Sequence, residues 1–160
     1  MSEKLSTKAK IGFGAGEFSS SIFFTLTSFW LMNFLTDEVR LSAALAGTAL
    51  LIGKIWDAVI DPLIGYVSDR TKSRWGRRRP YLLFFAIPFG LAFVMMFRNP
   101  GIETQTGKFI WVLLTYIFFC TVYSFTNIPY NALLPEMTSD YNERTNISGY
   151  KQLFAVIGTL

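Results

Sequence analysis

Residues 54–62 read KIWDAVIDP, which sets a lysine and two aspartates inside an otherwise apolar stretch from Leu41 to Val67. At 3.6 residues per turn, Lys54, Asp57 and Asp61 fall at i, i+3 and i+7 and share one helix face, which Gly47, Leu50 and Gly65 continue. Two carboxylates one turn apart with a single ammonium leave one net negative charge when all three are ionised. Like-charge repulsion between them grows where the effective dielectric is low. An added cation relieves it. A sodium ion would take several oxygens, from these carboxylates and from nearby hydroxyls and amides, whereas a proton needs one carboxylate of raised pKa; the residues leave both open. The plainer alternative is an ion pair that fastens two helices. Such fastening needs one acid per base, and here one acid is in surplus.

A second polar set lies between 116 and 131. Tyr116, Cys120, Tyr123, Asn127 and Asn131 recur at three- and four-residue steps, with Ser124 one turn before Asn127. Such a stripe either hydrogen-bonds helices together, at about 0.6–2 kcal/mol per contact, or lines a cavity; five polar groups on one face favour the cavity. Glu17 with Ser19, Ser20, Ser21, Thr25 and Ser28 adds polarity to the first apolar run, where small hydroxyls serve close packing or a pocket equally well.

Charges at that depth need a bilayer and helices to hold them. The 160-residue chain is 51% hydrophobic with 16 phenylalanines, and its mean hydropathy is +0.35, too apolar and aromatic for an ordinary soluble domain. Apolar runs at 11–35, 41–67, 81–97 and 109–134 are of the order of the roughly 20 residues that cross a hydrocarbon core, the third being the shortest. A fifth run, 147–160, has only about fourteen residues, fewer than a crossing needs. The predicted fold is an all-α membrane protein with four transmembrane helices and a truncated fifth, forming one incomplete amino-terminal bundle over 1–160. The first run is longer than a signal-peptide core and has no convincing cleavage site, so it reads as a retained span. Pro88 and Pro129 lie inside spans and predict kinks. Counting back from Arg70 puts Asp61 about 13 Å and Asp57 about 20 Å from that end of the helix, both at membrane depth. A lipid-facing charge there would cost roughly 2.5–3.5 kcal/mol, so the charged face should look inward.

Topology follows from the basic residues. Lys4, Lys8, Lys10, Arg70, Lys72, Arg74, Arg77, Arg78, Arg79 and Arg144 fall on one side of the membrane, and Arg40, Arg98 and Lys108 on the other. That asymmetry predicts a cytoplasmic amino terminus and a cytoplasmic 68–80 loop. The net charge of +4 therefore reads as membrane topology. The cations cluster between apolar runs and not along one amphipathic face, so the expected partner is a lipid bilayer and not nucleic acid. With no histidine and a single cysteine, Cys120, the chain lacks a ligand set for zinc, haem or iron–sulfur clusters and the usual base of a hydrolase triad. It is expected to be no enzyme and to need no cofactor beyond a transported ion.

The stretch GYVSDRTKSRWGRRRP, Gly65 to Pro80, ends a helix and follows it with a run of cations. Gly65, then Asp69-Arg70 four residues on, then Gly76-Arg77-Arg78 resembles, in expanded form, the signature between helices two and three of the major facilitator superfamily. KIWDAVIDPLIGYVSDR, SRWGRRRPYLL and NIPYNALLPEMTSDYNERT (127–145) are similar to the glycoside-pentoside-hexuronide:cation symporters, the group of melibiose permease and the glucuronide carriers. The resemblance covers essentially the whole chain. It implies a twelve-helix transporter of two six-helix halves with a midplane substrate site, this chain being an amino-terminal portion and the carboxyl-terminal half being expected in the complete protein. It implies cation binding at Asp57 and Asp61, with Ser124 as a hydroxyl ligand and Asn127 at the position of a helix-four acid. Implied substrate contacts are Ser20, Ser21, Tyr123, Asn127, Asn131 and Lys151; Lys54 is the charge partner; Gly65, Asp69, Arg70, Gly76, Arg77 and Arg78 form a cytoplasmic gating motif. The implied activity is sodium- or proton-coupled symport of a small molecule, a sugar or glycoside, by alternating access in a bacterial cytoplasmic membrane. The alternatives are a truncated, non-transporting membrane fragment and a carrier of lysolipid-like cargo, since lysolipid carriers resemble the same family.

Overall fold

The computed structural model describes residues 5–74, 76–138 and 140–160. Lys4, one of the cations used for topology, lies outside the described residues, as do Trp75 and Ser139 of the quoted motifs. The regular elements among the described residues are helices. We label them α1 (Thr7–Glu38), α2 (Ala43–Arg70), α3 (Arg79–Met96), α4 (Gln105–Met137) and α5 (Tyr141–Thr159). The first four are long and apolar enough to cross a membrane, which makes this a multi-pass membrane protein.

Helices α1, α2 and α5 begin at capping residues and not at the edges of the apolar runs. Ser6 accepts from the Ala9 N–H at 3.3 Å and starts α1 at Thr7. Ser42 does the same for α2, through Leu45 N–H at 3.4 Å, and Asp140 for α5, through Glu143 N–H at 3.0 Å. α1 also carries two wider π-helical turns, Leu26–Trp30 and Phe34–Glu38, which no glycine or proline in the sequence announces. Pro62 and Pro88 lie inside continuous helices, and so does Pro129 within α4.

The chain divides into two compact units: Met1–Ser28 with Tyr130–Leu160, and Phe29–Pro129. In the second unit the core gathers Leu31, Leu35, Ala46, Ala49, Ala92, Met96, Val112 and Phe119. Small residues Ala46, Ala49 and Gly53 line one face of α2 and are all buried, and such a stripe lets a neighbouring helix approach closely. Between α3 and α4 the aromatic rings stack, Phe85 on Phe125 at 4.5 Å and Phe89 on Phe119 at 5.7 Å. The α1–α2 turn puts Arg40 at φ 55°. Gln105 holds that turn from both sides, donating to Arg40 O at 2.8 Å and accepting from Ser42 N–H at 3.0 Å.

In the first unit, the start of α1 and α5 run parallel, because contacts climb both helices together: Lys10 meets Glu143, Gly14 meets Phe154, and Gly158 meets Phe18. A Cβ on Gly158 would lie 2.7 Å from the Phe18 carbonyl oxygen, so only glycine allows that approach. Tyr130 closes the unit, stacked on Phe13 at 4.7 Å and donating its hydroxyl to Phe13 O at 2.6 Å. Large apolar side chains such as Phe24, Trp30, Phe84 and Ile87 are exposed, a surface suited to lipid and not to water.

Candidate cation and substrate sites

The close approach at Gly53 positions the acidic face of α2. The Tyr116 ring of α4 lies against Gly53, where any Cβ would overlap it. One turn further, Asp57 is fixed from both oxygens: Oδ2 accepts from Lys54 Nζ at 3.2 Å and Oδ1 from Ser124 Oγ at 3.2 Å. Beside it, the Trp56 indole N–H donates to Thr121 Oγ1 at 2.9 Å, a second tie from α2 to α4. Asp57 is 19% exposed in its side chain and Lys54 64%. Asp61, the next acid on that face, is partly buried, and its Oδ1 is buried without a hydrogen-bond partner. A buried carboxylate oxygen left unpaired is costly. Two acids and one ammonium therefore leave one surplus negative charge and an unused acceptor, as a small cation or a proton requires.

The α4 stripe divides between two roles. Tyr116 and Cys120 are 3% exposed and belong to the packed core, so the expected cavity lining does not extend to them. The Tyr116 ring fills the space that Gly53 leaves. Further along, Ser124 reaches Asp57, and Asn127 Nδ2 donates to the Tyr123 hydroxyl at 3.1 Å.

A separate polar cluster forms in the first unit. Lys151 Nζ donates to Asn131 Oδ1 at 2.5 Å, stands 3.4 Å from Glu17 Oε2, and lies 5.6 Å from the centroid of the Tyr130 ring. Nearer the helix starts, Lys10 Nζ is 2.7 Å from Glu143 Oε2 and donates to Asn146 Oδ1 at 3.2 Å. Ser20 donates back to Gly16 O at 3.4 Å, and Ser21 faces Gly158 of α5. Both serines thus engage their own unit's packing.

Residues 12–160 match the family model described as MFS/sugar transport protein. The chain belongs to this family. Among relatives of this MFS/sugar transport chain, an uncharacterized symporter of Synechocystis is 42% identical over 99% of the chain and 30% of its own length. The isoprimeverose transporter of Lactiplantibacillus pentosus is 38% identical over 93% of the chain and 31% of its own length. A sodium-dependent lysophosphatidylcholine symporter of Danio rerio is 34% identical over 98% of the chain and 29% of its own length. The chain thus spans about a third of the length of the curated relatives it matches.

In this MFS/sugar transport chain the 65–80 motif is held by charge. Arg78 donates to Asp69 Oδ1 at 2.7 Å, and the Arg70 guanidinium lies 4.0 Å over the Tyr66 ring. Gly76 takes φ 94°, a conformation that favours glycine. Gly65 has open space around it and its carbonyl accepts from Ser68 at 2.9 Å. Arg77 lies exposed in the same loop. Sequence reasoning missed three contacts: Lys10 with Glu143, Glu17 with Lys151, and Trp56 with Thr121. The first two had a signal, since each helix repeats a charge of opposite sign about two turns on, Lys10 then Glu17, and Glu143 then Lys151.

Proposed function

We propose that this chain is the amino-terminal part of a cation-coupled symporter that carries a sugar or glycoside by alternating access. The observation that carries the reading is the acidic face of α2, where Asp57 is held by Lys54 and Ser124 while Asp61 keeps a buried, unpartnered oxygen. A transported cation supplies the missing positive charge, with Asp57, Asp61 and Ser124 as its oxygen ligands and Asn127 nearby on α4. The same charge logic serves sodium, which gathers several oxygens, and a proton, which needs one. Substrate contacts are Asn131 and Lys151, with Tyr123, Asn127, Ser20 and Ser21. The cation and substrate raise each other's affinity by the same factor, because binding linkage is reciprocal. The chain works in transport and not in catalysis, in a bacterial cytoplasmic membrane, with its amino terminus and the loop after α2 in the cytoplasm, where the Asp69–Arg78 contact holds one gating state. The names of relatives as symporters and as an isoprimeverose transporter support this cargo class.

One observation favours a second cargo: a relative named as a sodium-dependent lysophosphatidylcholine symporter matches nearly the whole chain. Counterflow by the full-length protein in proteoliposomes, with a panel of glycosides and with lysophosphatidylcholine, under sodium and under pH gradients, tests both. Gradient-driven glycoside uptake that Asp61→Asn abolishes is the expected result. Uptake indifferent to both ions, or uptake of the lysolipid alone, overturns the sugar-symport reading.

A further inference from the structure

Among the described residues of the first unit, Glu17 and Lys151 lie deep in their helices and pair with each other. Glu17 is the eleventh residue of α1 and Lys151 the eleventh of α5, so both lie about 15 Å along their helices. Around the Lys151 ammonium stand a neutral acceptor from Asn131 at 2.5 Å, the Glu17 carboxylate at 3.4 Å and the π face of Tyr130 at 5.6 Å. Both charged side chains are mostly buried, 25% and 19% exposed, and Glu17 Oε2 makes no hydrogen bond of good geometry. The local charge is therefore zero, and in a low-dielectric setting a guest that changes it is penalised. A sugar hydroxyl leaves the balance intact, since it accepts from an ammonium and donates to a carboxylate. A guest carboxylate, by contrast, must lodge beside Glu17 and repel it.

We infer that Glu17 sets the charge class of the cargo: by keeping Lys151 neutralised it admits uncharged glycosides and holds out glycosiduronates. This rests on the symport reading above and on Lys151 and Asn131 as substrate contacts. Removing the Glu17 charge leaves an unmatched ammonium, which turns a site for neutral sugars into one that prefers an anion.

The test is counterflow by the full-length protein in proteoliposomes, with a neutral nitrophenyl glycoside and the corresponding nitrophenyl glycosiduronate. The wild type is expected to favour the neutral compound. In Glu17→Gln the ratio of glycosiduronate to glycoside rate should rise by about tenfold or more. The double variant Glu17→Gln with Lys151→Gln, neutral again, should return the ratio toward the wild-type value. A ratio unchanged in Glu17→Gln, whether both rates persist or fall together, makes the pair a structural fastener and overturns the inference. Should Glu17→Gln fail to fold, competition on the wild type decides: the glycosiduronate should inhibit glycoside counterflow at least about tenfold less well than an unlabelled glycoside, and equal or better inhibition overturns the inference. A wild type that moves no glycoside under any gradient refutes the symport reading itself, and this inference with it. That outcome is visible before any variant is made.

Discussion

The two units use charge in opposite ways. In the unit of Met1–Ser28 and Tyr130–Leu160, two acids meet two bases in pairs buried on both sides: Lys10 with Glu143 at 2.7 Å, 12% and 10% exposed, and Glu17 with Lys151 at 3.4 Å, 19% and 25% exposed. In Phe29–Pro129, the interior of α2 sets two acids against one base, the base is 64% exposed, and the second acid keeps a buried oxygen without a partner. Matched pairs of alternating sign fix the register of two parallel helices, because a slip of about two turns brings like charges together. Unmatched acids fix nothing of the kind. They leave an electrostatic demand that the proposed transported ion would answer, and so the less satisfied unit is where ion coupling is to be sought.

The comparison breaks most visibly at Asp57. In the full-length protein Asp57→Asn keeps the shape and a group for Ser124 to bond, but removes the surplus charge. Gradient-driven accumulation of cargo should be lost, while counterflow without a gradient persists at a reduced rate. The cation's effect on cargo affinity should collapse to near unity from a coupling on the order of 5- to 150-fold. Accumulation by Asp57→Asn at the wild-type level would show that α2 acids are as structural as those of the other unit.

On the matched side, Glu143→Ala strands Lys10 in a site where both partners are about nine-tenths buried. Breaking a buried pair from one side costs about 3–5 kcal/mol, read as a fall in the detergent melting temperature of the full-length protein. The double variant Lys10→Ala with Glu143→Ala should recover part of that loss, since no charge is then left unpaired. A single variant that costs under about 1 kcal/mol would put this pair in the class of loose surface contacts, and the contrast between units would fail.

The contrast also explains what the sequence could tell. Lys54, Asp57 and Asp61 stood out because charges inside an apolar run are expensive, and a fixed helical period puts them on one face whatever packs against it. The four spans were legible for the same reason. The starts of α1, α2 and α5 were not, because Ser6, Ser42 and Asp140 act through one hydrogen bond each, which an apolar window does not register. Lys10 and Glu143 were hard to read because each lies near a helix start, where Lys10 reads as a topology anchor and Glu143 as the favourable acid of a first turn. The opposite-sign spacing on the two helices was their one signal, and the close passage of α1 by α5, at Gly14 and Gly158, turns it into a contact. Tyr116 and Cys120 misled in the other direction. Their spacing placed them on a polar stripe, but a phenol and a thiol are also largely apolar bodies: the gap over Gly53 takes the Tyr116 ring as packing, and Cys120 is buried in the same core.

That gap gives an intermediate effect which separates packing from charge inside one unit. Gly53→Val pushes two methyl groups into the Tyr116 ring and should destabilise by about 1–3 kcal/mol, while also loosening the approach of α4 that brings Ser124 to Asp57. Gly47→Ala, on the same helix with open space around it, should instead be neutral or stabilise by up to about 1 kcal/mol through helix propensity. Equal melting temperatures for the two variants would mean that α2 and α4 do not depend on the Gly53 contact.

Lys54→Gln has the smallest effect and carries the most information about the ion. The ammonium stands 3.2 Å from Asp57 Oδ2, so it already provides part of the positive charge that a guest cation would bring. Removing it leaves two negative charges on the α2 face in place of one, and attraction for a guest rises. The lysine is mostly exposed, which weakens its hold on the site, so the gain should be modest, about three- to tenfold in cation affinity, or about 1 kcal/mol. The sign then depends on the ion in a measurable way. With sodium, the half-saturating concentration for cargo uptake should fall at fixed pH. With a proton as the coupling ion, that concentration should not respond to sodium in either form. A cation affinity that drops in Lys54→Gln would mean that the lysine orients Asp57 as a ligand, and does not compete with the ion.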